Sequence, residues 1–268
     1  MHPGAWMAWA TCAGLVAFTT TNPWYLAVLV AVAWFVYAAH RIDGPASRSF
    51  RVFLLFGLAT MTLRTALVVF ATVNLSNVVY AALEGARLAV ILVVFGTFNA
   101  VTDPYGVLRL APRRFHEPAL AAALALSIAP RTIDGLHRVR EAQAMRGIEV
   151  RGMRTLPALV VPVLETGMEE AVTLAESMDS RGHGRGPRSR YRPEPWTLAG
   201  VVTTALGATA AAVYVVAAAR GLGDLRPGTD PLVWPSVTPA LVGAALLLAA
   251  PGLLRRPPAL RPPSSSAT

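Results

Sequence analysis

Charge runs along this chain in blocks, and that blockwise pattern constrains the fold more than any other feature. Residues 102–195 hold 14 of the 24 arginines and 11 of the 15 acids, while long stretches on either side carry almost no charge. Only 15% of the 268 residues are charged, against about 25% in an ordinary soluble domain. Uncharged blocks flanking one charged block describe an all-α integral membrane protein with an aqueous segment.

A helix needs about 20 residues to cross the hydrocarbon, with about 17 as a practical minimum. Six stretches qualify or nearly so: 4–20, 23–39, 52–73, 87–101, 196–219 and 234–254. Pro23, after the polar run Thr19 to Asn22, suits a first helical position, so the first two spans form a tight hairpin. The connection 74–86 reads as an amphipathic, Asn-containing segment outside the bilayer. Four domains follow: four N-terminal spans (1–101), a coupling block (102–195), two C-terminal spans (196–256), and a Pro- and Ser-rich tail (257–268) expected to be disordered. Residues 118–130 are apolar, but only 13 lie between Glu117 and Arg131. With basic residues on both sides, they read as a helix on the cytoplasmic side or buried in protein. Arginines set the orientation. The loop 40–51, the block 102–195 and the tail after Leu254 are Arg-rich and go to the cytoplasm, which puts both termini inside.

The net charge of +9 does not point to nucleic acid. All 24 basic side chains other than histidine are Arg, and they sit beside apolar spans, where they orient the chain and meet anionic headgroups. The N-terminus lacks the charged region of a cleaved signal peptide. One cysteine, Cys12, makes no internal disulfide or thiolate site. His2, His40, His116, His137 and His183 show no i, i+3 or i, i+4 pairing, so no helical metal site is expected and no cofactor is implied. The stretch Gly182-His183-Gly184-Arg185-Gly186 lacks the ending of a phosphate loop. Ser127 and Ser177 have no nucleophile-elbow context. An integral-membrane enzyme therefore lacks its catalytic cluster. Arg64, inside a span, must snorkel or face protein.

Within the charged block, apolar residues at 160, 163, 164, 168, 171, 172, 174, 175 and 178 follow a helical period, with Glu165, Glu169, Glu170 and Glu176 opposite. Gly167, Ala171 and Ala175 form a smooth stripe, the kind that lets two helices cross closely. A second helix is expected from Arg131 or Thr132 to Met145. The two helices end alike, one in Met145-Arg146-Gly147 and the other in Ser180-Arg181-Gly182. Glycine suits the left-handed stop. Arginine completes the helix dipole and presents a fork of donors.

These paired endings, together with Thr21-Asn22-Pro23, Ala142-Gln143, the segment Pro162 to Gly182 and the basic stretch Gly184 to Tyr191, resemble the T subunit of energy-coupling-factor transporters, including its cobalt-type permease relatives. That family carries an Ala-Arg-Gly motif at the end of each of two crossed cytoplasmic coupling helices. Met145 and Ser180 stand where the family usually has Ala. The resemblance implies no enzymatic activity of the chain's own. It implies docking of Arg146 and Arg181 into two ABC-type ATPase subunits, with Gly147 and Gly182 allowing close approach. A separate S-type membrane subunit would bind the vitamin or transition-metal substrate, in a prokaryotic plasma membrane. An ordinary ABC permease subunit that itself contacts substrate is the alternative.

Overall fold

In the computed structural model, residues 1–40, 45–71, 74–147, 157–183, 195–228 and 234–254 are described, without the side chains of 45–48, 113 and 116. The tail 257–268 and the basic stretch 184–191 lie outside the described residues. Among those described, every regular element is helical. The helices are α1 (Pro3–Thr19), α2 (Pro23–His40), α3 (Pro45–Ala71), α4 (Leu75–Val101), α5 (Pro104–Leu108), α6 (His116–Met145), α7 (Pro157–Ser180), α8 (Leu198–Arg220), α9 (Pro239–Leu247) and α10 (Ala250–Leu253). The chain divides into two compact units, one of residues 1–110 and 194–268, the other of 111–193.

In the first unit, local chemistry marks the helix ends. Pro3 and Pro23 occupy first-turn positions where a missing N–H costs nothing. His2 Nδ1 accepts from Gly4 N at 3.1 Å, Asn22 Oδ1 from Trp24 N at 3.1 Å and Asn74 Oδ1 from Ser76 N at 3.1 Å. Thr197 Oγ1 accepts from Gly200 N at 3.2 Å, and Gly221 closes α8 at φ 63°. These caps satisfy amides that the helix itself leaves unpaired.

The core of this unit joins α1, α2, α4, α8 and α9 around Trp9, Tyr25, Leu29, Val94, Tyr214 and Leu248, all fully buried. Several of its buried polar groups pair across elements, while the Thr203 hydroxyl has no partner among the described residues. Trp9 Nε1 donates to Leu248 O at 2.8 Å, and Tyr214 OH to Leu241 O at 3.1 Å. At the α1–α2 turn, Asn22 is fully buried and its amide donates to Asp224 O (2.7 Å) and Ser236 O (3.1 Å). Thr20 Oγ1 and Thr21 N both donate to Leu225 O at 2.9 Å. The α1–α2 turn and the loop after α8 are thereby locked together. At the other end, His2 stacks on Trp196 with ring centroids 4.6 Å apart, and Pro3 packs against Gly106. Residues 2–3, 106 and 196 therefore lie together at one end of the first unit.

Helix α3 is peripheral. Phe50, at its N-terminal end, stacks on Tyr37 of α2 with centroids 3.9 Å apart. Otherwise α3 lies along α4 in a glycine-lined seam. A Cβ built on Gly85 would sit 2.9 Å from Met61 Cα, one on Gly57 3.2 Å from Ala89 Cα, and one on Gly96 2.7 Å from Phe53 Cβ. Only glycine permits backbones to come that close.

Five helical stretches are long and apolar enough to cross a membrane: Pro23–His40, Ser49–Ala71, Leu75–Val101, Glu117–Met145 and Leu198–Arg220. This set differs from the sequence expectation in four places. The first expected span, 4–20, forms α1, which at 17 residues falls outside the set. The stretch 74–86 is not a separate connection but the start of α4. Its Glu84 is buried and paired to Arg87 Nη2 at 2.5 Å across one helical turn, which removes the charge that argued against burial. Residues 118–130 and 131–145 are not two helices but one, α6, which runs through Pro130. The proline removes the N–H that would bond Leu126 O, and the apolar and polar halves nonetheless belong to one helix. The stretch 234–254 is not one continuous helix, because α9 ends at Leu247 and a new turn begins at Ala250. Pro251 cannot donate to Leu247 O, and the chain tightens there, with Leu248 N on Ala245 O and Ala249 N on Leu246 O.

The second unit contains α6, preceded by a 3₁₀ turn (Arg113–Phe115), and α7. The two helices meet where α6 ends and α7 begins. Pro162, inside α7, has no N–H to offer Ala158 O, four residues back. Gln143 Nε2 of α6 supplies the missing donor at 3.3 Å, beside buried Leu159.

Candidate functional site

The residues singled out at the two helix tips are built by the same backbone closure. At the end of α7, His183 N donates to Met178 O at 2.9 Å and Gly182 N to Asp179 O at 2.8 Å. That pair of bonds is a Schellman motif, with Arg181 at the cap and Gly182 just beyond. At the end of α6, Arg146 is the cap and Gly147 N donates to Ala144 O at 3.0 Å, the equivalent inner bond. Gly147 and Gly182 both take φ 74°. A Cβ on either would meet nothing within 4 Å, so the need for glycine within the chain is conformational rather than steric.

Both arginines are exposed, and among the described residues neither guanidinium makes an ion pair. Each carries its charge at a helix C-terminus, where the exposed carbonyls favour a cation. Each extends from a main chain whose last turn is closed by backbone hydrogen bonds. Met145, next to Arg146, is 84% exposed, an unusual setting for a thioether side chain. Ser180 bonds its own hydroxyl to Ser177 O at 2.9 Å, so it offers a surface little different from alanine.

The stripe behaves differently from the sequence expectation. Gly167, Ala171 and Ala175 are all exposed, and a Cβ on Gly167 would meet no atom within 4 Å. Among the described residues no close helix crossing is made at Gly167. The contact between α6 and α7 is instead made by Gln143 on Ala158, because a proline-freed carbonyl needs a donor. Val161, Leu164, Met168 and Val172 lie exposed along the same helix. Sequence reasoning noted Ala142-Gln143 only through resemblance. The physical signal was Pro162 itself, which announces an orphan acceptor at Ala158. Among the described residues no three His, Cys, Asp or Glu side chains converge as a metal site would require.

Comparison with known proteins gives a consistent answer. Residues 1–191 match the CbiQ family, described as cobalt transport protein. An uncharacterised protein, MG181, of Mycoplasma genitalium is 34% identical over 113 residues, 37% of this chain and 27% of its own length. The energy-coupling factor transporter transmembrane protein EcfT of Streptococcus thermophilus is 29% identical over 103 residues, 34% of this chain and 39% of its own. EcfT of Streptococcus equi subsp. equi is 28% identical over 103 residues, 34% of this chain and 38% of its own. The chain thus spans well under half the length of these curated relatives. With its apolar helices and a family match over 191 residues, the chain belongs to the CbiQ family of membrane transport proteins.

Proposed function

We propose that this chain is the transmembrane coupling subunit of an ATP-driven importer of the energy-coupling-factor type, carrying a vitamin or a transition-metal ion brought by a separate substrate-binding membrane subunit. The observation that carries the reading is the matched pair of helix tips, each with an exposed arginine at the cap and a left-handed glycine after it. Two equivalent cationic tips on one chain suit two ATPase subunits, each offering a carboxylate-lined groove. Arg146 and Arg181 dock there, Met145 fills an apolar part of its groove, and Gly147 and Gly182 let the ATPase surface approach the backbone. ATP-driven closure moves α6 and α7 as levers, since Gln143 couples the tip of α6 to the start of α7. The exposed stripe Gly167, Ala171 and Ala175 is then a crossing surface for helices outside this pair's own contact. The Arg-rich end of the first unit faces the cytoplasm, and both termini lie there.

Losing one arginine from a desolvated interfacial pair costs about 2–5 kcal/mol. Arg146→Ala combined with Arg181→Ala is therefore expected to abolish uptake and ATPase co-purification while the chain still inserts. Co-purification of ATPase at the wild-type level by that double variant would sink the reading.

A further inference from the structure

Arg64 is the one charged side chain on the described part of α3 after Arg51, and it stands in the stretch Ser49–Ala71, which is otherwise suited to hydrocarbon. It lies seven residues after Gly57 and three after Met61, at the flank of the seam with α4, yet it is exposed, as is Leu67 one turn on (60%). Among the described residues its guanidinium has no acceptor, and the nearby hydroxyls of Thr60 and Thr65 donate to carbonyls of their own helix, Phe56 O and Met61 O. A charge at such a depth is held by a partner or by reaching the interface. Arg64 lies seven residues before the end of α3 at Ala71, about 10 Å along the axis. The opposite boundary, at Ser49, is about twice as far. Side chains on a helix lean toward its N-terminus, so Arg64 leans away from the nearer interface and toward the middle of the bilayer. Snorkelling works against that direction.

The geometry points to the exposed flank of α3 at Arg64 and Leu67 as a docking surface for a transmembrane helix of a different membrane protein, one that carries an aspartate or glutamate at matching depth. The first unit of a second copy does not meet the requirement, and the acids of α6, Glu117, Asp134 and Glu141, belong to a helix proposed above as a cytoplasmic lever. The acid within the helices of the first unit is Glu84, which is buried and already paired with Arg87. Nor does α4 supply the acceptor, since its acid is that same paired Glu84. The partner's carboxylate completes the fork of donors, and the leucines around it provide an apolar rim that packs as tightly as lipid would. The inference rests on α3 being a membrane span and is independent of the ATPase docking proposed above.

The test places a photo-crosslinking benzoylphenylalanine at Leu67, one turn from Arg64, in the complete transporter in its native membrane. The expected product is an adduct with another membrane protein, mapped by mass spectrometry to an apolar span containing Asp or Glu. Its yield should fall at least about tenfold in Arg64→Leu and Arg64→Glu, as expected when one member of a desolvated ion pair is lost, and persist in Arg64→Lys. Removing a charge from a span makes insertion easier, so loss in Arg64→Leu is not loss of the inserted chain. Exchange of charges, Arg64→Glu with the partner's acid changed to Arg, should restore the adduct. Arg146→Ala with Arg181→Ala should leave it in place, which separates this inference from the ATPase reading. Adducts with lipid only, with a second copy of this chain, or with a span lacking an acid would each overturn it, as would a yield indifferent to Arg64→Leu.

Discussion

Gly147 and Gly182 hold the two tips in shape through a torsion that side chains resist. A residue with a Cβ pays about 1–2 kcal/mol in the left-handed region, and a β-branched one more. Gly182→Val is therefore expected to unwind the last turn of α7 and displace Arg181, whereas Gly182→Asn, which tolerates that region, should retain most transport. Uptake assays of the two variants at matched expression check this, and equal activities would show that the torsion is unimportant. Met145→Ala and Ser180→Ala test the side chains beside the arginines. Ser180 already bonds its own helix, so Ser180→Ala should change ATPase association less than Met145→Ala, which removes an 84% exposed apolar group. Both arginines, both glycines and their helical setting were legible in the sequence, because a helix stop is a local event written within five residues.

Elements were legible where their determinants are local and not where they depend on a distant partner. The starts of α2 and α8, at Pro23 and Leu198, fall within a few residues of the apolar boundaries expected at 23 and 196. The continuation of α6 through Pro130 was missed because a proline argues for a break unless the helix on both sides is strong enough to outweigh one lost bond. The length of α4 was missed because Glu84 alone looks like an aqueous residue, and Arg87 neutralises it only once both are on one helix. The stripe at Gly167 and the seam at Gly85 show the same limit from opposite sides. Spacing by four marks smooth helix faces, but it does not say which face is covered. Here Gly85 is the covered one, so Gly85→Leu should push α3 from α4, against a Met61 backbone atom that cannot yield, and cost about 1–3 kcal/mol or more. Gly167→Leu should leave the isolated chain as stable as wild type, by thermal unfolding in detergent. If it nonetheless stops uptake, the stripe serves a surface on another chain. Gln143→Leu removes the donor to Ala158 O and should loosen the α6–α7 junction by about 0.5–1.5 kcal/mol. Faster amide exchange in the first turns of α7 would report it.

Across the whole molecule, the first unit is closed by a few polar contacts between segments some 200 residues apart. Asn22 caps α2 and also satisfies two carbonyls of the loop that follows α8. Asn22→Ala is expected to cost about 2–4 kcal/mol, combining a lost cap with two stranded buried acceptors, seen as a lower thermal midpoint in detergent. An unchanged midpoint would mean that water replaces the amide at no cost. The membrane class and the charged block were legible from composition alone. The pairing of Asn22 with residues 224 and 236 was not, since nothing local to either segment specifies the other.

The closure shared by the two tips bears on how such chains drift. Their outline is drawn by main-chain atoms and by one torsion, so the letters in front of the arginines are free to change while the outline persists. A search pattern demanding alanine there would pass over Met145 and Ser180, yet tracing the backbone of either tip would lead straight to the other.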